Sequence, residues 1–264
     1  REPDACRDHC LAALRRLLAE TGDSGAALVI EPLVQGAAGM LVQPAGYLRG
    51  VAELCREHDV LLICDEVATG FGRTGTLFAC EQEGVAPDFL CLAKGITGGY
   101  LPLAATLTTD AVYETFRGEP DAPRTFFHGH TYTGKPLACA AAVASFDLFA
   151  REQTLAHVAQ VAQVLADELT RHVANLEHVG EVRQRGLMVG IELVRDRHTR
   201  ETFPAEAAIS AQVCQALRAA GILLRPLGPV IVLMPPLSIT AGEISHLAQA
   251  TARAITRVCD AAKR

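Results

Sequence analysis

Two residues of complementary chemistry follow neighbouring apolar runs of the sequence. Asp65 ends the run at residues 60–64, and Lys94 comes just after the run at residues 89–92. Short, wholly apolar runs predict buried strands, and open α/β sheets carry their reactive residues at the carboxyl ends of strands. Taken alone, Asp65 is typical of a solvated turn and Lys94 of a protein surface. Together they are the two groups that pyridoxal phosphate (PLP) requires: a lysine for the Schiff base and a carboxylate that keeps the pyridine nitrogen protonated.

Three other motifs match different chemistries but lack the context that those chemistries need. The sequence GFGRTG at residues 70–75 fits a dinucleotide fingerprint, yet residues 65–69 separate it from the preceding strand. The sequence GHTYTGK at residues 129–135 fits the start of a P-loop, but Pro136 stands where a hydroxyl must reach magnesium. The pair His128 and His130 has no third ligand at a suitable spacing. We therefore predict no nicotinamide cofactor, no ATP site and no metal.

The composition narrows the class of protein. The chain has 264 residues, of which 50% are hydrophobic, and a net charge of −6 without a basic block. These values predict a globular protein that does not bind nucleic acid, and the absence of an apolar run of about 18 residues predicts no membrane span. The nine cysteines form no C-x-x-C pair, which favours a reducing compartment, the cytoplasm.

The alternation of apolar and amphipathic segments predicts an α/β protein with a second, smaller α+β domain. We place the domain boundary near Gln153. Before it we predict strands at residues 26–30, 60–64, 89–92 and 103–107, joined in a parallel sheet, and helices at residues 3–20, 47–57 and 136–149. After it we predict helices at residues 154–175, 206–220 and 241–258, and strands at residues 182–185, 188–194, 222–225 and 230–234.

Four segments resemble the class-III (ω-type) aminotransferases. They are residues 62–67 (LICDEV), residues 70–75, residues 31–36 (EPLVQG), and Lys94 with the glycines and proline that follow it at residues 98–102. The resemblance extends from Gly25 to the end of the chain. It implies PLP as the cofactor, a homodimer with the active site at the interface, and fold type I of the PLP-dependent transferases. On this basis residues 1–153 would be the C-terminal part of a large, mostly parallel PLP-binding domain, and residues 154–264 the small C-terminal domain.

Within the class, three stretches resemble the branch that acts in biotin biosynthesis; they are residues 35–40, 67–75 and 127–136. A fourth, residues 224–228 with residues 233–236, matches the small-domain segment of the family. This resemblance implies amino transfer to 8-amino-7-oxononanoate, which yields 7,8-diaminononanoate, with S-adenosylmethionine as the usual amino donor. His130, Lys135 and Val232 depart from the pattern of that branch and leave the donor open between S-adenosylmethionine and lysine. Two alternatives remain: another class-III ω-aminotransferase, and a non-catalytic truncated subunit.

The resemblance also assigns roles to individual residues. It makes Lys94 the Schiff-base lysine and proton shuttle, and Asp65 the partner of the pyridine nitrogen. Thr131 would contact the cofactor phosphate from the neighbouring subunit, and Gly129 would lie at the substrate. Arg225 would hold the substrate carboxylate, for which a bidentate guanidinium is well suited.

Other features of the family have no counterpart in the sequence. No segment resembles the Gly-Ser loop that binds the cofactor phosphate or supplies the aromatic residue that stacks on the pyridine ring. We therefore expect that an N-terminal portion is missing, and that the 264-residue chain alone is inactive and binds PLP poorly.

Overall fold

The computed structural model describes residues 2–119 and 122–262, which fold into two compact units. Within the described residues, the first unit comprises the chain up to Leu33 together with Gln43–Phe71 and Thr76–Glu152. The second unit comprises Val34–Val42, Gly72–Gly75 and the chain from Gln153 onward. The division therefore differs from a single cut at Gln153, because two short early segments belong to the second unit.

Most of the predicted helices and strands occur along the described residues in the predicted order, and two short strands at residues 34–35 and 41–42 and a short helix at residues 110–115 are additional. The α-helices and strands of the described residues are α1 (Pro3–Thr21), β1 (Ala27–Ile30), β2 (Val34–Gln35), β3 (Leu41–Val42), α2 (Tyr47–Glu57), β4 (Leu61–Asp65), β5 (Phe89–Leu92), β6 (Ala105–Thr108), α3 (Asp110–Thr115), α4 (Pro136–Arg151), α5 (Thr154–His172), β7 (Val179–Arg185), β8 (Met188–Leu193), α6 (Ile209–Leu217), β9 (Arg225–Leu227), β10 (Val230–Leu233) and α7 (Ala241–Ala261). None of these helices is long and apolar enough to cross a membrane.

The sheet of the first unit has the order β1-β4-β5-β6. Strands β1, β4 and β5 are parallel, with Ile30 opposite Cys64 and Asp65 opposite Cys91. Strand β6 instead runs antiparallel to β5. The prediction of a parallel sheet is thus confirmed for three strands and wrong for the fourth. The physical reason is the connection, because β5 and β6 are joined without the crossover helix that a parallel pair needs.

Helix α2 covers the sheet of the first unit with one apolar face. Leu48, Val51 and Leu54 recur at helical spacing and are buried together with Leu62 and Cys64 of β4. Burial of each large aliphatic side chain contributes roughly 1.5–3 kcal/mol relative to exposure. This packing fixes the position of β4, the strand that ends at Asp65.

The N-terminus of α2 is capped from a distant part of the chain. The residue before the helix is Gly46, which has no side chain to cap it. The buried carboxylate of Glu83 takes this role, since its Oε1 accepts from the N–H of Gly46 at 2.8 Å and its Oε2 from the N–H of Arg49 at 2.9 Å. A carboxylate at a helix N-terminus also interacts favourably with the helix dipole.

We expect Glu83→Gln to lower the free energy of unfolding by about 1.5–3 kcal/mol, because glutamine has one acceptor oxygen for two N–H donors. Urea denaturation of the full-length gene product would measure the change. The control is Glu81→Gln, which removes an exposed charge from the same turn. Equal urea midpoints for the two variants would contradict the role of Glu83 as a cap.

The second unit is an α+β structure, as predicted. Its antiparallel sheet has the order β7-β8-β10-β9. Helices α5, α6 and α7 bury their apolar faces in one core with the sheet, and the largest fully buried side chains there include Ile191, Ile231 and Ile255. Helix α7 begins with a capping box in which Thr240 and Glu243 bond each other's backbone N–H groups. Strand β9 begins at Arg225, so the prediction of a strand at residues 222–225 is wrong except for its last residue.

The short β2–β3 segment is bonded to β7 within the second unit. The largely buried guanidinium of Arg183 donates from Nε to the carbonyl of Met40 at 3.2 Å and from Nη2 to the carbonyl of Gly39 at 2.8 Å. It also pairs with Glu181 and Glu192. Because a buried guanidinium needs acceptors for its N–H groups, these contacts explain why an early segment belongs to a unit built mainly from the end of the chain.

Candidate active site

The structure brings Asp65 and Lys94 to the same edge of the sheet in the first unit. Strand β4 ends at Asp65, and the N–H of Glu66 donates to the carbonyl of Cys91 at 2.9 Å, which extends the pairing with β5 by one step. The chain leaves β5 at Leu92 and reaches Lys94 two residues later. Both residues therefore follow the carboxyl ends of adjacent parallel strands, the position at which open α/β sheets bind ligands.

Lys94 lies in a tight turn with an unusual backbone. Its φ is +44°, in the left-handed region that side chains other than glycine seldom adopt. The next residue is a glycine for a steric reason, because a Cβ on Gly95 would lie 2.7 Å from the Cβ of Phe71. Phe71 in turn packs in a small buried cluster with Leu92 and Ile96. The turn rests on this cluster, while the side chain of Lys94 is exposed.

Asp65 is half-buried, and its carboxylate is oriented by the backbone of its own turn. Oδ1 accepts from the N–H of Val67 at 3.0 Å. Oδ2 makes no hydrogen bond to any residue that the structure describes. One carboxylate oxygen is thus held in place, and the other is available to a donor such as a protonated ring nitrogen.

Glu66 is a buried carboxylate that the sequence analysis did not single out. Its Oε2 accepts from the N–H of Ala79 at 2.7 Å and its Oε1 from the N–H of Cys80 at 2.8 Å. Burial raises the pKa of Glu66, and the two N–H donors oppose that rise. The signal in the sequence was its place directly after Asp65, since neighbouring strand residues point to opposite faces and the second acid would then face the protein interior.

The predicted phosphate and substrate residues of the first unit lie in an exposed turn. Thr131 and Gly129 are exposed. The turn is held by its own groups, because the N–H of His130 donates to Oγ1 of Thr133 at 2.9 Å and the N–H of Tyr132 donates to Nδ1 of His130 at 3.1 Å. No hydrogen bond between described residues joins this turn to Asp65 or Lys94, so the roles of Thr131 and Gly129 stay predictions.

Arg225 lies in the second unit, whereas Asp65 and Lys94 lie in the first. It is the first residue of β9, opposite Val232 of β10, and its side chain is exposed. Among the described residues Arg225 has no ion pair with a carboxylate. A guanidinium without an internal counterion can accept the carboxylate of a ligand, and this role of Arg225 also stays a prediction.

The local structure excludes the dinucleotide interpretation of GFGRTG. Residues 70–75 form turns, and the next element is a short 3₁₀ turn at Ala79–Glu83. A dinucleotide fingerprint instead joins a strand directly to the N-terminus of an α-helix. Across the part of the chain that the structure describes, no group of three or more His, Cys, Asp or Glu side chains could hold a metal ion.

The donor set at the sheet edge fits the ring end of PLP. An exposed amine at Lys94 can form an imine with an aldehyde, and the free Oδ2 of Asp65 can hold a protonated pyridine nitrogen. Gly98 and Gly99 follow in left-handed backbone conformations. For the phosphate end, Thr131 is the residue that the sequence predicts.

Comparisons with known proteins agree with this chemistry. The class-III aminotransferase family model matches residues 1–255. The chain is 52% identical over 256 residues to the adenosylmethionine-8-amino-7-oxononanoate aminotransferase of Geobacter sulfurreducens. This alignment covers 97% of this chain and 56% of the relative. It is 54% identical over 258 residues to the enzyme of the same name from Nitratidesulfovibrio vulgaris, in an alignment that covers 98% of this chain and 47% of the relative. The chain thus spans about half the length of the curated relatives it matches.

Solved structures give the same result. The adenosylmethionine-8-amino-7-oxononanoate aminotransferase of Methanocaldococcus jannaschii has a TM-score of 0.91 and 46% identity, over 94% of this chain and 57% of that chain. An amine transaminase from an uncultivated Pseudomonas species, solved with PLP bound, has a TM-score of 0.92 and 41% identity, over 97% of this chain and 58% of that chain. These likenesses confirm fold type I of the PLP-dependent transferases. The chain belongs to the class-III aminotransferase family.

Proposed function

We propose that the full-length gene product is a PLP-dependent aminotransferase of biotin biosynthesis. It converts 8-amino-7-oxononanoate to 7,8-diaminononanoate, with S-adenosylmethionine as the amino donor, and it acts as a homodimer in the cytoplasm. The observation that carries the proposal is the pair Asp65 and Lys94 at one sheet edge. The assignment of the substrate rests on the names of relatives that are 52% and 54% identical to this chain.

Asp65 and Lys94, at the sheet edge, have different roles in the proposed amino transfer. Bound PLP supplies an electron sink for the carbon that gains or loses a proton. Asp65 holds the proton on the ring nitrogen through Oδ2, while the N–H of Val67 fixes the orientation of the carboxylate. Lys94 would anchor the cofactor through its Nζ, and as a free amine the same atom would move the proton between atoms of the substrate.

The exposed turn around Thr131 supports the homodimer. Phe127 and Tyr132 flank Gly129 and Thr131, and their side chains are 95% and 72% exposed. Large aromatic side chains are enriched where proteins meet each other. In a dimer this turn would bring Thr131 to the partner's cofactor phosphate and Gly129 to the partner's substrate.

We expect Arg225→Ala to raise the KM for 8-amino-7-oxononanoate with a smaller effect on kcat. The variant loses the partner of the substrate carboxylate, a loss of about 2–5 kcal/mol for an ion pair that substrate binding buries. Steady-state kinetics of the full-length gene product measure both constants. The control is Arg218→Ala, at an exposed arginine of the same unit. An unchanged KM in Arg225→Ala would mean that another group holds the carboxylate.

The substrate is tested by supplying 8-amino-7-oxononanoate with either S-adenosylmethionine or lysine and measuring 7,8-diaminononanoate. Product with S-adenosylmethionine supports the proposal as stated, and product with lysine alone corrects the donor. Amino transfer to other ketones without any 7,8-diaminononanoate would favour a different class-III ω-aminotransferase. Val232 makes the donor worth testing, because it is a buried apolar residue where some members of the family carry a tyrosine.

We expect residues 1–264 expressed alone to be inactive and to bind PLP poorly. A phosphate dianion needs several converging donors, and Thr131 is the one that the sequence predicts. Val29, Leu61 and Leu107 on the sheet of the first unit are also exposed, which favours aggregation. Absorbance titration with PLP and measurement of the oligomeric state test this expectation. A soluble dimer with micromolar affinity for PLP would contradict it.

A further inference from the structure

Glu66 is tied to the protein through both its side chain and its backbone. Its carboxylate is fully buried and accepts the N–H groups of Ala79 and Cys80. Its backbone N–H donates to the carbonyl of Cys91 at 2.9 Å, and its own carbonyl accepts from the N–H of Gly70 at 3.0 Å. Glu66 therefore links the end of β4 to the segment that begins at Ala79.

Gly70 packs closely against the backbone of Glu66. A Cβ at position 70 would lie 2.9 Å from the carbonyl oxygen of Glu66, so a side chain there would push the turn open. The turn that Glu66 closes also contains Val67, whose N–H orients the carboxylate of Asp65. A displacement of Glu66 thus moves the donor that aims Asp65.

We infer that Glu66 is a positioning residue that sets the orientation of Asp65 toward the ring nitrogen of PLP. This inference rests on the proposed function, because it takes Asp65 as the partner of that nitrogen. Glu66 acts through the backbone of residues 65–67 and through the hydrogen bond from its N–H to the carbonyl of Cys91, near the end of β5. Lys94 follows two residues after Leu92, the last residue of β5. Because it is fully buried, Glu66 would touch neither the cofactor nor the substrate.

The surroundings of Glu66 contain few other titratable groups. The thiols that interact electrostatically with Glu66 are Cys64 and Cys80. Burial raises the pKa of Cys64 to about 12, and burial also raises the pKa of Cys80. Both thiols therefore stay neutral near physiological pH, and the carboxylate of Glu66 interacts mainly with the two N–H donors, with the thiol of Cys80 and with the hydroxyl of Thr69.

The test compares Glu66→Gln with Glu83→Gln in the full-length gene product. Both wild-type residues are buried carboxylates of the first unit that accept two backbone N–H groups, but only Glu66 adjoins Asp65. Each variant is freed of cofactor and then loaded with PLP labelled with ¹⁵N at the ring nitrogen. The ¹⁵N chemical shift is followed against pH, the Kd for PLP is measured by absorbance, and the Tm reports stability.

We expect both variants to lose a few degrees of Tm. Only Glu66→Gln should lower the pH at which the ring nitrogen loses its proton, by about one unit, and weaken PLP binding about tenfold or more. Glu66→Asp keeps the charge on a shorter side chain, so the pH at which its ring nitrogen loses the proton should lie between those of Glu66→Gln and the wild type. If Glu66→Gln does not fold, the comparison of Glu66→Asp with Glu83→Asp decides in the same way.

Two results would overturn the inference, and they are distinguishable. A ring-nitrogen titration and a Kd in the Glu66 variants that match those of the Glu83 variants would show that Glu66 only stabilises the fold, and the proposed function would stand. A wild-type protein that binds no PLP, or whose ring nitrogen is unaffected by Asp65→Ala, would overturn the role of Asp65 and the inference with it.

Discussion

Lys94→Ala in the full-length gene product is expected to abolish transamination and the covalent attachment of PLP. The methyl side chain removes both the amine that forms the imine and the base that moves the proton, while the neighbouring turn keeps its packing on Phe71. The absorbance band of the lysine-bound cofactor should disappear. Borohydride reduction followed by peptide mass mapping should find PLP on the Lys94 peptide in the wild type and on no lysine in the variant.

The control for this experiment is Lys135→Ala. Lys135 lies directly before α4, and it bears on the choice of amino donor but not on the covalent attachment of PLP. Its substitution should leave the absorbance band and the labelled Lys94 peptide unchanged. A borohydride-stable adduct at another lysine in the Lys94→Ala protein would contradict the assignment of Lys94.

Asp65→Asn is expected to reduce kcat by about 10²-fold or more while the protein remains folded. The amide removes the charge that favours the protonated ring nitrogen. Its carbonyl oxygen can still accept the N–H of Val67, which preserves the local turn. Pre-steady-state kinetics should show that the proton-transfer step has slowed, and circular dichroism should show an unchanged fold.

Asp88→Asn provides the matched control for Asp65→Asn. Asp88 precedes β5, and its Oδ2 accepts from the N–H of Leu62 at 2.8 Å, so it is a carboxylate bonded to the same strand away from the sheet edge. Its substitution should change kcat by no more than a few-fold. Activity of Asp65→Asn within a few-fold of the wild type would show that another group keeps the ring nitrogen protonated.

The sequence predicted the strands that carry the candidate site better than it predicted their directions. Short, wholly apolar runs have a strong pattern, which is why the sequence predicts β5 at residues 89–92 and β4 within one residue. The direction of β6 depends on the path of the chain between Lys94 and Ala105, and local composition does not encode that path. Strand β9 was misplaced because only its contact with β10 distinguishes Arg225–Leu227 from the apolar residues before it.

The candidate site was predicted in part for a similar reason. Asp65 and Lys94 carry a signal in their own types and spacing. Glu66 carries only the weak signal of its place after Asp65, because its partners are the N–H groups of Ala79 and Cys80, which approach it only after the intervening segment has folded back. In the same way, nothing in the residues around Arg183 indicates that the carbonyls of Gly39 and Met40 are its partners.

The left-handed backbone at Lys94 has a consequence for how this position can change in evolution. A residue with a side chain at a φ of +44° costs about 1–3 kcal/mol, whereas glycine adopts that conformation without a steric penalty. If stability alone were selected, glycine would therefore replace lysine here. A lysine at this position is therefore expected to be maintained for its proposed chemistry, against a locally unfavourable backbone conformation. Libraries screened only for thermal stability should then enrich inactive variants at position 94, so selection for stability at this turn must be paired with selection for turnover.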